Sequence, residues 1–433
     1  MTRVTFIGAG SVVFTKQLLT DLLRYPEFDE IEIALHDIDD ERLRVAKATA
    51  AYVSKRLGAH ARVTASADRR EALAGADFVI NMIQVGGVEG TRADLEIPAR
   101  HGLLQTIGDT TGVGGVFRGL RTFPVLTGIL HDMEQICPNA YFLNYTNPMT
   151  MNVWWANVVA PSIRTVGLCH SVYWTAHDLA ELVDLDVADT QYRAAGLNHQ
   201  SWLLEWTHNG ESLYPRLEQR IADDPELQRR VRAEIFRRVG YYPTETSEHS
   251  SEYLSWFLRS ETQREKYRLR PLEYLQISED NVTEFEQTRS ALDAGHDIEL
   301  LDEASEYAPQ LIHSVVTGTR REIHANLPNA GLISNLPEAE VVEVPCVVDA
   351  EGIHPVAMGD LPIECVTVNR PYASVAGAAI EAARREEPTL VRQALLADPN
   401  AMSSVTPETL WRICDELTDA HAAHLPAGLL SRA

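Results

Sequence analysis

Cys169 and His199, 30 positions apart, are the side chains whose types point most directly to chemistry. A thiolate and an imidazole together suit a borderline divalent cation, and two protein ligands leave the other coordination positions to a substrate diol and water. Such an open site makes a poor structural clamp but can polarise a ketone. The separation fits no zinc-finger spacing, so residue type rather than pattern carries this reading. The alternative leaves Cys169 as a small buried apolar residue and His199 as a core-edge histidine.

A second group of residues points to a dinucleotide. Gly8-Ala9-Gly10-Ser11 stands between a strand-like run and a helix-like run, where glycines let the backbone turn tightly and approach a pyrophosphate at a helix N-terminus. Val13 occupies the place of the third glycine of the usual fingerprint. Asp37 follows the next strand-like run, where a carboxylate can accept hydrogen bonds from adenosine ribose hydroxyls, which favours NAD over NADP. Its competing role is a turn acid or helix cap, since Asp39 and Asp40 follow.

Polar groups crowd four further segments: Gly108–Gly115 (GDTTGVGG), Asn144–Met149 (NYTNPM), Leu168–Ser171 (LCHS) and Gly196–Trp202 (GLNHQSW). The first three are expected at the C-terminal ends of strands, the edge where open α/β sheets bind ligands, and the fourth opens the second half of the chain. Each has a plainer reading: Asp109 as a cap, Asn147 before Pro148 as a turn residue, His170 as a core-edge histidine.

The elements that must position these residues follow from periodicity. Apolar runs at Arg3–Gly8, Ile31–Asp37, Arg62–Ser66, Asp77–Ile83, Tyr141–Thr146 and Thr165–Cys169 read as strands, with helices from Ser11 to about Arg24, from about Asp40, and over 115–136. Alternation of strand and helix predicts a Rossmann-like, doubly wound, mostly parallel sheet. Beyond about 185 two alternating stretches, 191–199 and 201–208, precede helices over Pro225–Gly240 and beyond Thr262. The expected organisation is a dinucleotide-binding domain over 1–190 and an α+β domain over 191–433, packed intimately with the site between them, as in lactate and malate dehydrogenases.

Composition limits the partners. Hydrophobic residues at 45% and charged residues at 23% are those of an ordinary globular protein. With 62 acidic against 38 basic side chains the net charge is -24, which argues against nucleic acid and anionic membrane surfaces as partners and also serves solubility. Five cysteines without a Cys-x-x-Cys pair are expected to be reduced thiols. No apolar run reaches membrane-spanning length and no signal peptide is evident, so the expected location is the cytoplasm.

Seven motifs in collinear order carry a resemblance: FIGAGS, IGDTTGVGGVFRGLRT, LNYTNPM, VGLCHS, AGLNH, TETSEHSSEY (Thr244–Tyr253) and VEVPCVVDAEGIHP (Val342–Pro355). Together they resemble the NAD-dependent family 4 glycoside hydrolases from residue 3 to about 425, nearest to the α-galactosidase (melibiase) branch. This family departs from the two-carboxylate rule of glycosidases. The resemblance implies oxidation at sugar C3 by NAD, C2 deprotonation, elimination of the aglycone, water addition at C1 and re-reduction, with a divalent metal, usually manganese, on O2 and O3. It makes Cys169 and His199 the metal ligands, Asp109 and Asn147 substrate-binding residues, and His170 the acid. Gly8, Gly10, Ser11 and Asp37 become the NAD-binding residues.

An Asp or Asn usually follows the cysteine in the phosphoglycosidase members, so His170 implies an unphosphorylated sugar, and the acidic charge agrees. The C2 base is carried over as Glu245, although many members use a Tyr or Asp; Glu248, His249, Tyr241 and Tyr242 lie nearby. The alternative for Glu245 is a solvated acid at a helix start. The implied partner is a small α-glycoside, and members are usually homodimers or homotetramers. Competing functions are an α-glucosidase or α-galacturonidase of the same family, or an NAD-dependent 2-hydroxy-acid dehydrogenase using Arg118 and Arg121 as an anion clamp. A non-catalytic sensor is the remaining rival.

Overall fold

The computed structural model of the 433-residue chain describes residues 1–28, 30–301 and 306–430. Six short strands form its parallel half: β1 (Arg3–Ile7), β2 (Glu32–His36), β3 (Arg62–Ala65), β4 (Phe78–Asn81), β5 (Tyr141–Asn144) and β6 (Arg164–Gly167). They lie in the order β3-β2-β1-β4-β5-β6, every neighbour parallel, which is the doubly wound order expected from the sequence. The first five fall inside their expected spans. β6 ends at Gly167, which leaves Leu168 and Cys169 to the loop beyond it.

These strands are near-continuous apolar runs because both faces of the sheet are covered. Side chains alternate between two cores: Phe78, Ile80 and Leu143 share one with Leu18, Leu19 and Leu22, whereas Val79 and Phe142 share another with Leu126, Ile129, Leu130 and Met133. Truncating a fully buried residue such as Phe142 to alanine costs about 3–5 kcal/mol. Between β2 and β3 the helix Asp40–Leu57 is bounded by Asp39, which accepts from the backbone N–H of Glu41 and Arg42, and by left-handed Gly58.

The second half of the chain continues the same sheet. Its strands are β7 (Gln191–Leu197), β8 (Gln200–His208), β9 (Glu211–Ser212), β10 (Tyr242–Pro243), β11 (Arg321–Pro328), β12 (Val341–Asp349) and β13 (Gly352–Pro355). β11 joins β6 antiparallel through Asn326 opposite Gly167, and β12, β7, β8 and β10 follow; β13 pairs with β12 and β9 with β8, so that the sheet has 13 strands among the described residues. Among the described residues no helix is long and apolar enough to cross a membrane.

A buried carboxylate, Asp94, ties the C-terminal region to the parallel half. Arg121, fully buried on the helix Gly112–Ile136, meets Asp94 at 2.6 Å, and the same carboxylate meets His421 Nε2 at 2.8 Å just beyond the helix Pro407–Ala420. Arg121 is therefore neutralised inside the protein.

Candidate active site

At the C-terminal end of β1 the chain turns through Gly8 to Gly10, and the Gly8 and Ala9 N–H groups donate to the His36 carbonyl, each at 3.0 Å. The Gly10 N–H donates to Asp37 Oδ2 at 2.7 Å. A Cβ at position 10 would lie 2.6 Å from that oxygen, so the approach requires glycine. Ser11 makes no side-chain cap bond and the first turn of the helix Val12–Leu23 carries no acid. Its electropositive end faces the sheet edge without a side-chain cap of its own, beside the Asp37 carboxylate, where a pyrophosphate could meet its backbone N–H groups. Gly8, Gly10, Ser11 and Asp37 come together there.

The other expected residues converge along the same edge, farther down the sheet. Cys169 follows β6, and His170 stands immediately before the helix Ser171–Leu182. His199 occupies the turn between β7 and β8 with φ of 63°, a left-handed conformation that carries a backbone cost in a non-glycine residue. Glu245 follows β10 with φ of 69°. β10 pairs with the start of β8, and the Thr244 N–H donates to the Ser201 carbonyl at 2.9 Å, which holds Glu245 beside His199. From behind, Asn369 accepts from Trp202 Nε1 at 2.6 Å and donates to the Gln200 carbonyl at 2.8 Å.

His199 Nε2 lies 3.5 Å from Cys169 Sγ and 3.6 Å from Glu245 Oε2. The ligand atoms of Cys169, His199 and Glu245 all fall within 4.8 Å of one another. A second group, Asp109, His199 and His249, meets the same limit. Glu245 Oε1 also stands 3.6 Å from His249 Nδ1, and His249 Nε2 stands 3.4 Å from Asp109 Oδ1. Asn147 Nδ2 donates to Asp109 Oδ2 at 2.8 Å. His170 Nδ1 pairs with Glu306 Oε1 at 3.1 Å. Glu245 is thus no solvated helix-start acid, since its side chain is only 13% exposed.

The Gly108–Gly115 segment lies elsewhere than expected. It follows the loop after the helix Gly87–Arg100 rather than a strand, and turns directly into the helix Gly112–Ile136. Gly114 and Gly115 let the loop fold back on that helix, because a Cβ there would sit 2.4 Å from the Gly108 carbonyl oxygen or 2.7 Å from the Thr110 carbonyl carbon. Its glycines serve packing, and Asp109 reaches the site from the fold-back.

Charge is distributed to suit a cation. Burial depresses His199 to about 4, so its imidazole is neutral near pH 7 and keeps a lone pair for coordination. Burial opposes the protonation of His249, but Glu245 and Asp109 outweigh it and push this histidine up to about 9. Burial favours neutral forms of Asp109 and Glu245 too, yet their histidine neighbours hold both below the usual carboxylate range. Cys169 is held as a thiol by burial and by Glu245 and Glu343. A divalent cation among these groups would supply the positive charge that favours its thiolate. Two anions and a neutral imidazole fit a borderline divalent metal.

Four neighbours of these residues were not singled out by sequence reasoning. Thr110 Oγ1 bridges Asp109 Oδ1 and His199 Nδ1, each at 2.7 Å. Glu306, 4% exposed, backs His170. Glu252 accepts from the Thr106, Ile107 and Gly108 N–H groups at 2.5, 2.7 and 3.0 Å and so anchors the loop before Asp109. Glu343 accepts from Ser201 Oγ at 2.5 Å, and burial raises it to about 7. Thr110, Glu252 and Glu343 all stand inside motifs read from the sequence, which was the available signal; Glu306 had none.

Comparison with known proteins identifies the family of the chain. The family model described as family 4 glycosyl hydrolase matches residues 3–185, and that of the family 4 glycosyl hydrolase C-terminal domain matches residues 194–401. An alpha-galactosidase of Bacillus subtilis is 38% identical over 98% of this chain and 99% of its own. Another of Rhizobium meliloti is 34% identical over 98% of this chain and 89% of its own. A solved 6-phospho-beta glucosidase from Thermotoga maritima, with manganese, NAD+ and glucose-6-phosphate, superposes with a TM-score of 0.81 at 22% identity, over 98% and 99% of the two chains. The chain belongs to the family 4 glycosyl hydrolases, and is a glycosidase.

Proposed function

We propose that the protein is an α-galactosidase that depends on NAD and on a divalent metal, manganese being expected. The observation that carries this reading is the convergence of the Cys169, His199 and Glu245 ligand atoms within 4.8 Å, on the sheet edge that also bears the Gly8 to Asp37 turn. The two α-galactosidase relatives support the sugar. The resemblance of His170 to the unphosphorylated branch and the net charge of -24 support a neutral glycoside. An α-glucoside or α-galacturonide is the alternative substrate.

When bound, NAD would supply reversible hydride acceptance at sugar C3, and the cation would supply positive charge beside O2 and O3. Gly8, Gly10 and Ser11 would hold the pyrophosphate, and Asp37 would accept from the ribose. Cys169 and His199 would hold the cation, and Asp109 with Asn147 would orient the sugar hydroxyls. Glu245 faces His199 with Oε2 and His249 with Oε1, so one carboxylate oxygen borders the cation position while the residue accepts the C2 proton. His249, charged near neutral pH, balances both carboxylates beside it.

Although burial opposes it, Glu306 raises the pKa of His170. With Nδ1 held by Glu306, His170 keeps Nε2 to protonate the departing glycosidic oxygen. Loss of the C2 proton to Glu245 and of the aglycone leaves a C1–C2 double bond; His170 then takes a proton from the water that adds at C1 while Glu245 returns one to C2, and reduction at C3 would close the cycle. The dehydrogenase alternative is disfavoured because Arg121 is already paired with Asp94 and no role remains for Cys169.

The same reading divides the chain near residue 190 into a dinucleotide-binding part, 1–190, and a substrate, metal and oligomerisation part, 191–433. It takes the protein as a cytoplasmic homodimer or homotetramer; five free cysteines support a reducing compartment. Cleavage of an aryl α-galactoside should require NAD, a divalent metal and a reductant, with no net NADH formed. Undiminished cleavage by NAD-free, metal-stripped protein would overturn the proposal.

A further inference from the structure

Thr110 has no part in the chemistry just described, yet it is fully buried between two residues that do. Its Oγ1 lies 2.7 Å from Asp109 Oδ1 and 2.7 Å from His199 Nδ1. A hydroxyl has one proton to give, so the two contacts cannot both receive it. Asn147 Nδ2 donates to Oδ2 of the Asp109 carboxylate at 2.8 Å, His249 Nε2 stands 3.4 Å from Oδ1, and an ionised carboxylate can only accept. A carboxylate so surrounded takes the Thr110 proton. The threonine oxygen then has only lone pairs left for His199, whose Nδ1 must carry the hydrogen. Nε2 is left with its lone pair, on the side where Cys169 Sγ lies at 3.5 Å and Glu245 Oε2 at 3.6 Å.

We propose that Thr110 is a positioning residue that fixes His199 as the Nδ1–H tautomer and couples Asp109 to the cation position. The inference rests on the reading of Cys169 and His199 as cation ligands. The physical basis is general: the hydrogen bond made by one ring nitrogen decides which nitrogen can coordinate, and such partners are worth roughly 10- to 100-fold in metal affinity. The relay makes the affinity for the cation depend on a side chain that does not coordinate it. Replacing Asp109 by Asn places an amide donor within reach of Thr110, which allows the hydroxyl to turn its proton toward His199 and favours the other tautomer.

The test uses full-length protein and two readouts other than turnover: Mn2+ affinity by EPR titration, and the His199 tautomer from ring 15N shifts in metal-free protein, assigned with His199→Gln. Thr110→Val removes the hydroxyl at nearly constant volume, and Thr110→Ser retains it. Thr110→Val is expected to weaken Mn2+ about 10- to 100-fold, with NAD affinity unchanged and Thr110→Ser close to wild type. Asp109→Asn should weaken Mn2+ in the wild-type background and add little to Thr110→Val, since a double-mutant cycle exposes coupling through the shared residue. Wild-type Mn2+ affinity in Thr110→Val, or equal losses in the Ser and Val variants, overturns the proposal. If Cys169→Ala leaves Mn2+ binding intact, the cation reading itself is lost. The tautomer then decides alone: Nδ1–H in wild type and a mixture in Thr110→Val supports the role of Thr110, and Nε2–H in wild type refutes it.

Discussion

Replacing Glu252 should separate the anchoring of the Asp109 loop from the chemistry it serves. The carboxylate is 4% exposed and receives three consecutive backbone N–H groups, from Thr106, Ile107 and Gly108, at 2.5 to 3.0 Å. Truncation to alanine strands all three in a buried loop. At about 1–3 kcal/mol for each unsatisfied group, partly recovered as the loop relaxes and admits water, a loss of about 3 kcal/mol or more is expected. Glu252→Gln is the finer probe. Its amide oxygen can still accept the three donors, while its NH2 replaces Oε2, which lies 3.0 Å from the Gly108 N–H. Loss of charge assistance and one donor-to-donor contact should cost about 1–2 kcal/mol. In Glu252→Gln activity should fall further than stability, because a displacement of roughly 1 Å at Asp109 and Thr110 can cost about 100-fold, equivalent to about 2.7 kcal/mol. Urea denaturation followed by tryptophan fluorescence gives the first quantity, and kcat/KM on an aryl α-galactoside the second. Wild-type stability and wild-type kcat/KM in both variants would show that the loop does not depend on Glu252.

Three other perturbations follow from the structure. Asp94→Ala leaves Arg121 charged, fully buried and without its carboxylate, and should destabilise by about 3–5 kcal/mol; a urea midpoint equal to wild type would contradict the tether. Burial raises Asp398 from 3.8 to about 7, so the folded protein keeps a proton that the unfolded chain has released. Stability from this group is complete below the ordinary carboxylate range and falls as pH rises to about 7, by up to ~1.4 kcal/mol per pH unit; Asp398→Asn should flatten that slope, and an unchanged slope would refute it. Gly10→Ala brings a methyl to 2.6 Å from Asp37 Oδ2 and should weaken NAD about 10-fold or more while Mn2+ binding persists, so unchanged NAD affinity in a titration would count against the cofactor site.

The parallel half of the fold was legible because each strand is a short apolar run closed by a helix-forming segment, as at Arg3–Ile7 and Phe78–Asn81. Continuation of the sheet was not legible. It depends on Asn326 meeting Gly167 and Glu343 meeting Gly196, and local periodicity does not encode pairing between remote strands. Cys169, His199 and Asp109 could be named from residue type and motif. Their convergence depends on the left-handed backbone at His199 and Glu245 and on the fold-back at Gly114 and Gly115, which sequence spacing does not reveal. Thr110 and Glu252 sat unread inside recognised motifs because their meaning lies in partners 89 and 144 to 146 positions away.

The central claim is that glycoside cleavage proceeds through removal of the sugar C2 proton. Hydrolysis of an aryl α-galactoside in D2O with NAD, Mn2+ and a reductant, followed by NMR of the released sugar, tests it directly. Deuterium at C2 is expected, and should disappear together with cleavage when NAD is withheld. Released sugar that carries only protium at C2 would contradict the account.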